Sequence, residues 1–226
     1  MQKQSFKTIF AGVIVVCLAL SCVTYAEDMV ELKIDLPKAM FAGTPKKLKS
    51  DNLDTANIGK MRKAFLVPKG TKNVAAGKKV ISSDSYPIIG ELDLVTDGDK
   101  EAADGCYVEL APGKQYVQID LEASYGIYAI LIWHYHSEAC VYRDVVVQVS
   151  NDPDFIKNVK TVFNNDHNNS SGLGAGKDKE WIETNEGKLI DTKGIKARYI
   201  RLYSNGCTSS DMNHYTEVEV YGKPAK

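Results

Sequence analysis

The pattern of apolar and polar residues changes near residue 73. Beyond that point, short runs of β-branched and aromatic residues are separated by clusters of Gly, Asn, Asp and Ser, which is typical of an all-β sandwich or barrel. Val117, Ile119 and Leu121 alternate with period two and so share one face of a strand. No amphipathic helix of convincing length interrupts the runs, which excludes α/β crossovers and the usual dinucleotide-binding folds. Strands are predicted at residues 79–82, 107–110, 116–121, 127–136, 145–150, 159–163, 181–184, 197–203 and 216–221.

The first 26 residues have the pattern of an export signal. Lys3 and Lys7 precede an uncharged apolar run over residues 9–20, and charge returns at Glu27. The run is too short for a spanning helix, which needs about 20 apolar residues, and no second apolar stretch follows. We therefore predict a signal peptide at 1–26, a secreted or periplasmic protein, and no transmembrane span in the mature chain.

Two cleavage sites compete within this signal. A cut after Ala26 fits the small residues that precede it, whereas the sequence before Cys22 resembles a bacterial lipoprotein site in which Cys22 carries the lipid. The first is favoured because Ala19 stands where lipoprotein sites usually have Leu. A lipoprotein anchored through Cys22 is the alternative.

Residues 27–72 differ in composition from the rest of the chain. They are rich in Lys, Pro, Gly and Asn and show no sustained periodicity. Pro37, Pro45 and Pro68 each disfavour a continuing helix and remove a donor from a strand ladder. We interpret 27–72 as an extended N-terminal arm or linker and 73–223 as the domain.

Composition and charge narrow the class of partner. The 226 residues suffice for one ordinary domain with a tail, and 44% apolar with 25% charged residues allows a sizeable core. The formal net charge is −1. Such near-neutrality argues against nucleic acid and against a polybasic membrane patch, because both need a concentrated positive charge.

Several motifs follow one another in a specific order and spacing. They are Asn73-Val74-Ala75-Ala76-Gly77-Lys78-Lys79-Val80, Val95-Thr96-Asp97-Gly98-Asp99, and the segments 116–121, 127–134, 145–152, 197–202 and 216–222. This ordered set resembles discoidin-like domains, the coagulation-factor 5/8 C type, in their bacterial secreted form. The resemblance implies a galactose-binding-domain-like jelly roll of about eight antiparallel strands, with ligands bound by loops at one end. Members of this family attach proteins to glycans, to lipid head groups or to other proteins.

A calcium site is the first candidate. Asp97 and Asp99 flank Gly98 in a tight turn, and hard cations take several oxygen ligands from carboxylates and carbonyls. The resemblance implies that a carboxylate at the start of the last strand, here Glu217, completes the site as a structural one. The alternative is a turn whose side chains bond only their own backbone.

A ligand-binding face is the second candidate. The polar segment 164–172 offers many neutral donors and acceptors for sugar hydroxyls, and an aromatic ring would pack against the C–H face of a sugar. The alternative is an exposed loop beside aromatic residues of the core. The predicted ligand-binding residues are Tyr142, Arg143, Asn165, Asp166, His167, Asn168, Trp181, Asn213 and His214.

Three cysteines remain once the signal is removed. In an oxidising compartment, one disulfide and one free thiol is the natural arrangement. Cys140 and Cys207 both lie in polar segments beside strands, so they are the preferred pair, and Cys106 is left over. The alternative is that all three are small buried hydrophobic residues.

Catalysis is the weakest hypothesis from the sequence. His134 and His136 could share a metal only with further ligands from elsewhere in the fold, and ordinary hydrogen bonds near a strand end are the simpler interpretation. No nucleophile elbow or carboxylate pair points to a common site. We expect a non-catalytic extracellular or periplasmic module that binds carbohydrate, such as cell-surface glycans, through loops at one end of the sandwich. The alternative is an assembly subunit whose arm holds a partner protein.

Overall fold

The computed structural model describes residues 27–43, 48 and 50–225. The predicted signal peptide, including Cys22, and Pro45 lie outside these residues. No helix in the described ranges is long and apolar enough to cross a membrane. The elements are β1 (Met29–Glu31), β2 (Leu66–Pro68), β3 (Lys72–Asn73), β4 (Val80–Ser82), a 3-10 helix (Leu92–Thr96), β5 (Val108–Leu110), β6 (Gln115–Trp133), β7 (Val146–Ser150), β8 (Lys160–Asn164), β9 (Lys188–Ser204), β10 (Asn213–Tyr215) and β11 (Glu217–Pro224).

The strands form one large antiparallel sheet and two short pairs. The large sheet has the order β3-β11-β6-β9-β7-β8, and β4 adds to β6. Strand β5 pairs with β10, and β1 pairs with β2. The all-β jelly-roll sandwich with an N-terminal extension that was predicted from the sequence is confirmed.

Strands β6 and β9 are the longest and run together along most of the sheet. Their ladder shifts register between Asp120 and Tyr125, where Glu122 has a positive φ of 67°. Such an irregularity bends a strand without ending it. The two strands predicted at 116–121 and 127–136 are therefore one strand, because the exposed residues between them are a bulge in a continuing ladder.

The main core lies on one face of this sheet. Period-two alternation places Ile119 and Ile200 at paired positions and buries both fully. Val108 and Tyr215, from the β5–β10 pair, belong to the same cluster. Each fully buried aliphatic side chain stabilises the fold by about 1.5–3 kcal/mol, so this cluster is the main stabilising term.

The N-terminal arm covers the opposite face of the same sheet. Leu131, Trp133 and Tyr221 form a second buried cluster there, and Leu32 and Phe65 of the arm pack against it. Pairing of β1 with β2 brings these two arm residues together, since Leu32 N donates to Phe65 O at 2.8 Å. The arm is extended, as predicted, and it lies against the sheet.

Most predicted strands agree with the structure, and one is wrong. Residues 181–184 form no strand; next to them there is only an isolated parallel bridge between Leu53 and Glu180. Trp181 of this segment packs against the main core, so its hydrophobicity reflects burial without a ladder. The strands that the pattern missed, β1, β2, β3 and β10, have two or three residues each.

The packing of the arm predicts that Phe65→Ala destabilises the protein. The ring is partly buried against the cluster of Trp133, and its loss should cost about 2 kcal/mol, less than a fully buried Phe because part of it already meets water. Urea unfolding followed by tryptophan fluorescence measures this. Leu66→Ala is the matched control at the next residue, because Leu66 is 57% exposed and its loss should cost about 0.5 kcal/mol or less. Equal effects of the two changes would show that the arm does not stabilise the sheet.

Candidate functional site

A polar pocket of about 470 Å³ opens at one end of the sandwich. The register explains its position, because Gln115 pairs with Ser204, and Val146 faces both Tyr203 and Asn164. The loops that flank these strand ends must therefore meet. The pocket is lined by Pro112, Gly113, Arg143, Asp144, His167, Asn168, Ser170, Glu180, Asn205 and Asp211.

Asp144 ties two loops of the pocket together. Its Oδ2 accepts from Ser170 Oγ at 2.6 Å and from Asn205 Nδ2 at 2.8 Å. Asp144 has a positive φ of 52°, a conformation that Asp tolerates better than most residues. The backbone of Arg143 also pairs with Asn205 and Gly206. The Arg143 side chain is exposed, and no hydrogen bond or ion pair joins its guanidinium to another described residue.

The polar loop after β8 is held by its own hydrogen bonds. The buried Asp166 carboxylate accepts from Ser170 N at 3.0 Å and from Ser171 N at 2.9 Å. Burial raises the pKa of Asp166, but the hydrogen bonds from these serines outweigh it and the net shift is downward. Gly176 passes so close to Asn164 that a Cβ there would lie 2.0 Å from the Asn164 carbonyl oxygen. The loop is therefore a built wall of the pocket.

The predicted ligand residues of this loop divide into two pairs. His167 and Asn168 are exposed and line the pocket. Asn165 and Asp166 are buried beneath it, and Asn165 Oδ1 accepts from Val145 N at 2.7 Å. Polar residues in a chain segment look alike from sequence, but here the first two are buried and the next two face solvent.

Three further predicted ligand residues lie beneath the pocket. Asn213 Nδ2 donates to Ala111 O and Gly113 O at 2.8 Å each, so it supports the rim from below. Tyr142 and His214 are also buried and joined by a hydrogen bond of 2.8 Å between Tyr142 Oη and His214 Nδ1. None of the three lines the pocket, so the structure does not bring them together with Arg143, His167 and Asn168.

Trp181 was expected to supply an aromatic wall, and the structure places it in a second cavity beside the arm. Glu180, its neighbour, lines the first pocket instead. The prediction also missed Asp144, Asn205 and Asp211. A signal for Asn205 was available, since Asn205-Gly206 directly follows a predicted strand and is a favoured turn pair.

The calcium candidates are brought together only in part. Glu217 Oε2 accepts from Gly98 N at 3.2 Å, which places this carboxylate at the Asp97 turn. Burial first, and then the nearby carboxylates of Asp99 and Asp97, raise the pKa of the Cys106 thiol, so both aspartates lie near it. Of the two, only Asp97 also raises the pKa of Glu217. Asp97 Oδ1 and Asp99 Oδ1 also accept from backbone amides two residues ahead, which is ordinary turn chemistry.

Glu217 is the most perturbed carboxyl of this region. It is fully buried, and its Oε1 has no hydrogen-bond partner among the described residues. Burial, with smaller contributions from the nearby Glu219 and Asp97, raises the pKa of Glu217 to about 9. Lys100 Nζ lies 2.9 Å from Glu219 Oε1 and opposes this shift. A cation beside Glu217 would favour its ionised form.

His134 and His136 make ordinary hydrogen bonds. His134 Nδ1 lies 2.6 Å from Glu183 Oε1, both side chains are fully buried, and the ring stacks on Tyr142 with centroids 4.2 Å apart. His136 Nε2 lies 2.9 Å from Lys100 O and so supports the Asp97 turn. Within the described ranges, no group of three or more His, Cys, Asp or Glu side chains is placed to hold a metal.

Residues 94–202 match an F5/8 type C family model described as a NedA-like, galactose-binding domain. This match confirms the discoidin-like resemblance seen in the motifs. A search of curated proteins gives no match.

The solved structures that match include a larger enzyme and a binding module derived from an enzyme. A family 89 glycoside hydrolase from Clostridium perfringens matches with a TM-score of 0.52 and 19% identity over 68% of this chain and 15% of the hydrolase. Chitosan-binding module 1 of a chitosanase/glucanase from Paenibacillus sp. IK-5 matches with a TM-score of 0.49 and 22% identity, over 67% of this chain and 99% of the module. The chain thus spans only a small part of the hydrolase, and at this identity the match shows the fold.

Cys140 and Cys207 are neighbours in the core. Both are free thiols in the structure, with Cys106 the third. A hydrogen bond between the two thiols, together with burial, raises the pKa of Cys140. The structure thus brings the predicted pair together without the bond, and the disulfide stays a prediction.

We expect the exported protein to form the Cys140–Cys207 disulfide, because the thiols already touch and closing a long loop stabilises by about 4 kcal/mol. Alkylation of the denatured protein without reductant, followed by peptide mapping, should label Cys106 and leave the other two unlabelled. A Cys106→Ser variant serves as the control and should show no labelled cysteine after residue 27. Labelling of Cys140 and Cys207 without reductant would contradict the pairing.

Proposed function

We propose, from the premise that the sandwich is a discoidin-like, F5/8 type C galactose-binding domain, that this chain is a non-catalytic carbohydrate-binding module. The observation that carries the proposal is the convergence of Arg143, His167 and Asn168 in one pocket at the end of the sandwich. Each was selected from sequence as a ligand residue, and the strand register alone brings them together. The glycan is bound by this pocket.

The chemistry of the pocket favours a neutral sugar. Arg143 presents a planar fork of donors, and Asp144, Glu180 and Asp211 present acceptors. Carboxylates outnumber the single permanent cation, so an anionic ligand would be repelled. Adjacent sugar hydroxyls, which both donate and accept, match this mixture. Aromatic residues are absent from the lining, so hydrogen bonds supply most of the affinity.

We place the module outside the cytoplasm, secreted or periplasmic, on the export pattern of residues 1–26. A lipoprotein anchored through Cys22 is the alternative form. The assembly hypothesis required the arm to be free for a partner protein. It is disfavoured because Leu32 and Phe65 are used to cover the module's own sheet.

We also propose calcium as a structural ion at the Asp97 turn. The support is the buried, unpartnered Glu217 Oε1 beside Asp97, a position where a divalent cation would replace a proton. Glu217, Asp97 and backbone carbonyls would hold the ion, which would supply positive charge to two crowded carboxylates. Asp99, also predicted from the sequence, is left out of this proposed set because Asp97 and not Asp99 acts on the Glu217 carboxyl.

Sugar binding is tested on the full chain purified after export, first on a broad glycan array and then by calorimetry with the best neutral oligosaccharide. Arg143→Ala should weaken binding about tenfold or more, since it removes charge-assisted hydrogen bonds. Lys160→Ala is the matched control, because Lys160 is exposed at the far end of β8 from the pocket. Absence of binding across the array, or equal loss in both variants, would refute the proposal.

Calcium binding is tested by the melting temperature in calcium and in chelator. The folded pKa of Glu217, about 9, exceeds its ordinary value of 4.5, so the folded state holds the proton more tightly than the unfolded state. Without metal, the stability that this protonated carboxyl contributes is therefore lost as the pH rises from 4.5 to 9. Calcium should therefore raise the melting temperature, and more at pH 8 than at pH 5. Glu217→Gln and Asp97→Asn should remove the effect, while Asp99→Asn should keep it. No calcium shift at pH 8 would mean that Lys100 alone neutralises the site.

A further inference from the structure

Lys188 has an unusual environment for a lysine. Its side chain is half-buried, and its Nζ lies 5.2 Å from the ring centroid of Trp181 and 5.5 Å from that of Phe163. No hydrogen bond or ion pair joins the ammonium to another described residue. Burial lowers the pKa of Lys188, and the distant carboxylates of Asp54 and Glu183 only partly offset this. Two aromatic faces stabilise the cation but do not replace an anion.

The ammonium lines a cavity of about 670 Å³ between the arm and the loop before β9, which we name the arm pocket. Trp181 and Lys188 form part of one wall, and Asn57 and Ile58 of the arm form part of the other. The volume is within the range of small-molecule sites, which is about 300–1,000 Å³. The arm is thus one side of a cavity as well as a cover for the sheet.

A tight turn fixes Lys188 at the edge of this cavity. Gly187 N donates to Thr184 O at 3.1 Å, and Gly187 has a positive φ of 62°. A Cβ at Gly187 would lie 2.7 Å from Cε2 of Trp133, so only glycine lets the turn sit against that ring. Lys188 then begins β9 opposite Ile132, which holds its backbone in the ladder.

The charge of the arm pocket is opposite to that of the first pocket. Lys60, Arg62, Lys63 and Lys188 line it, against the carboxylates of Asp54 and Glu186. The carboxylates already have partners within the wall: Asp54 Oδ2 accepts from Asn57 Nδ2 at 2.7 Å, and Glu186 Oε2 accepts from Arg62 N at 2.9 Å. Because the cationic side chains outnumber the carboxylates, the net charge of the lining is positive.

We propose that the arm pocket binds the carboxylate of a uronic acid unit in an acidic polysaccharide. Lys188 pairs with the carboxylate, and the ring of Trp181 packs against the C–H face of the sugar. The neutral groups of Thr184 and Asn185 at the rim suit sugar hydroxyls. This is a second site, separate from the pocket at Arg143, and it selects for charge where the first selects against it.

The test compares each of three acidic tetrasaccharides, of galacturonate, glucuronate and mannuronate, with its methyl ester by calorimetry on the full chain. The ester keeps the sugar body and removes the charge. At least one acid should bind about tenfold or more tighter than its ester, and added salt should weaken the acid alone. Binding should also change the fluorescence of Trp181, and Trp181→Phe should abolish that change.

Matched variants assign the site. Lys188→Met should reduce acid binding to the level of the ester, Lys188→Arg should retain most of it, and Arg143→Ala should leave it unchanged. The acid–ester comparison on the unaltered protein stands even if Lys188→Met fails to fold. Failure of all three acids to bind, equal binding of acid and ester, or loss of acid binding through Arg143→Ala alone would each overturn the inference. The acid–ester comparison is repeated in Arg143→Ala, which removes binding of the neutral ester by the first pocket, so failure of this inference is distinguished from failure of the proposed function.

Discussion

Burial of β11 on both faces is the constraint on which the rest of the structure depends. Val218 and Val220 point into the main core, whereas Glu217, Glu219 and Tyr221 are buried on the opposite side. A strand buried on both sides needs a cover over each face, and buried carboxylates need partners. Glu219 has them in Lys100 Nζ at 2.9 Å and Tyr221 Oη at 2.8 Å, whereas Glu217 is left with an unpartnered oxygen.

The arm that supplies the second cover also shapes both pockets. Glu180 N donates to Asn52 O, and Asp54 N donates to Glu180 O. These two hydrogen bonds form the parallel bridge between Leu53 of the arm and Glu180. Asn52 Nδ2 further donates to Asp178 O at 2.9 Å. The loop that walls the first pocket is thereby held from outside, while Trp181, one residue on, faces the arm pocket. A single segment separates the two cavities.

Local pattern was enough for the strands and insufficient for most of the site. Period-two alternation reports a half-buried surface whatever its partner, so β4, β5, β7 and β8 were predictable. The roles of Asn213 and His214 depend on the pairing of β10 with β5. The contacts that result, such as the hydrogen bond from Asn213 Nδ2 to Ala111 O, join residues about 100 positions apart in the sequence. A polar residue in such a position is indistinguishable by type from one that faces a ligand. Arg143, His167 and Asn168 do line the pocket, and each lies within four residues of the end of β7 or β8, where the sequence pattern already marked the strand boundary.

Arg143 and Lys188 carry the same charge, and burial gives them different tasks. Arg143 is exposed among carboxylates, where water and the acidic neighbours screen it, so its value lies in the geometry of its donors. Lys188 is half-buried, and no acidic side chain pairs with it. An anionic ligand would therefore offset part of the free energy that the ammonium loses when burial removes its water. An ion pair in such surroundings is screened far less than one at the surface. The ligand charge that each pocket prefers thus depends on how deeply its cation is buried and on how many carboxylates surround it. By this argument the pocket at Arg143 prefers a neutral ligand and the arm pocket at Lys188 prefers an anionic one.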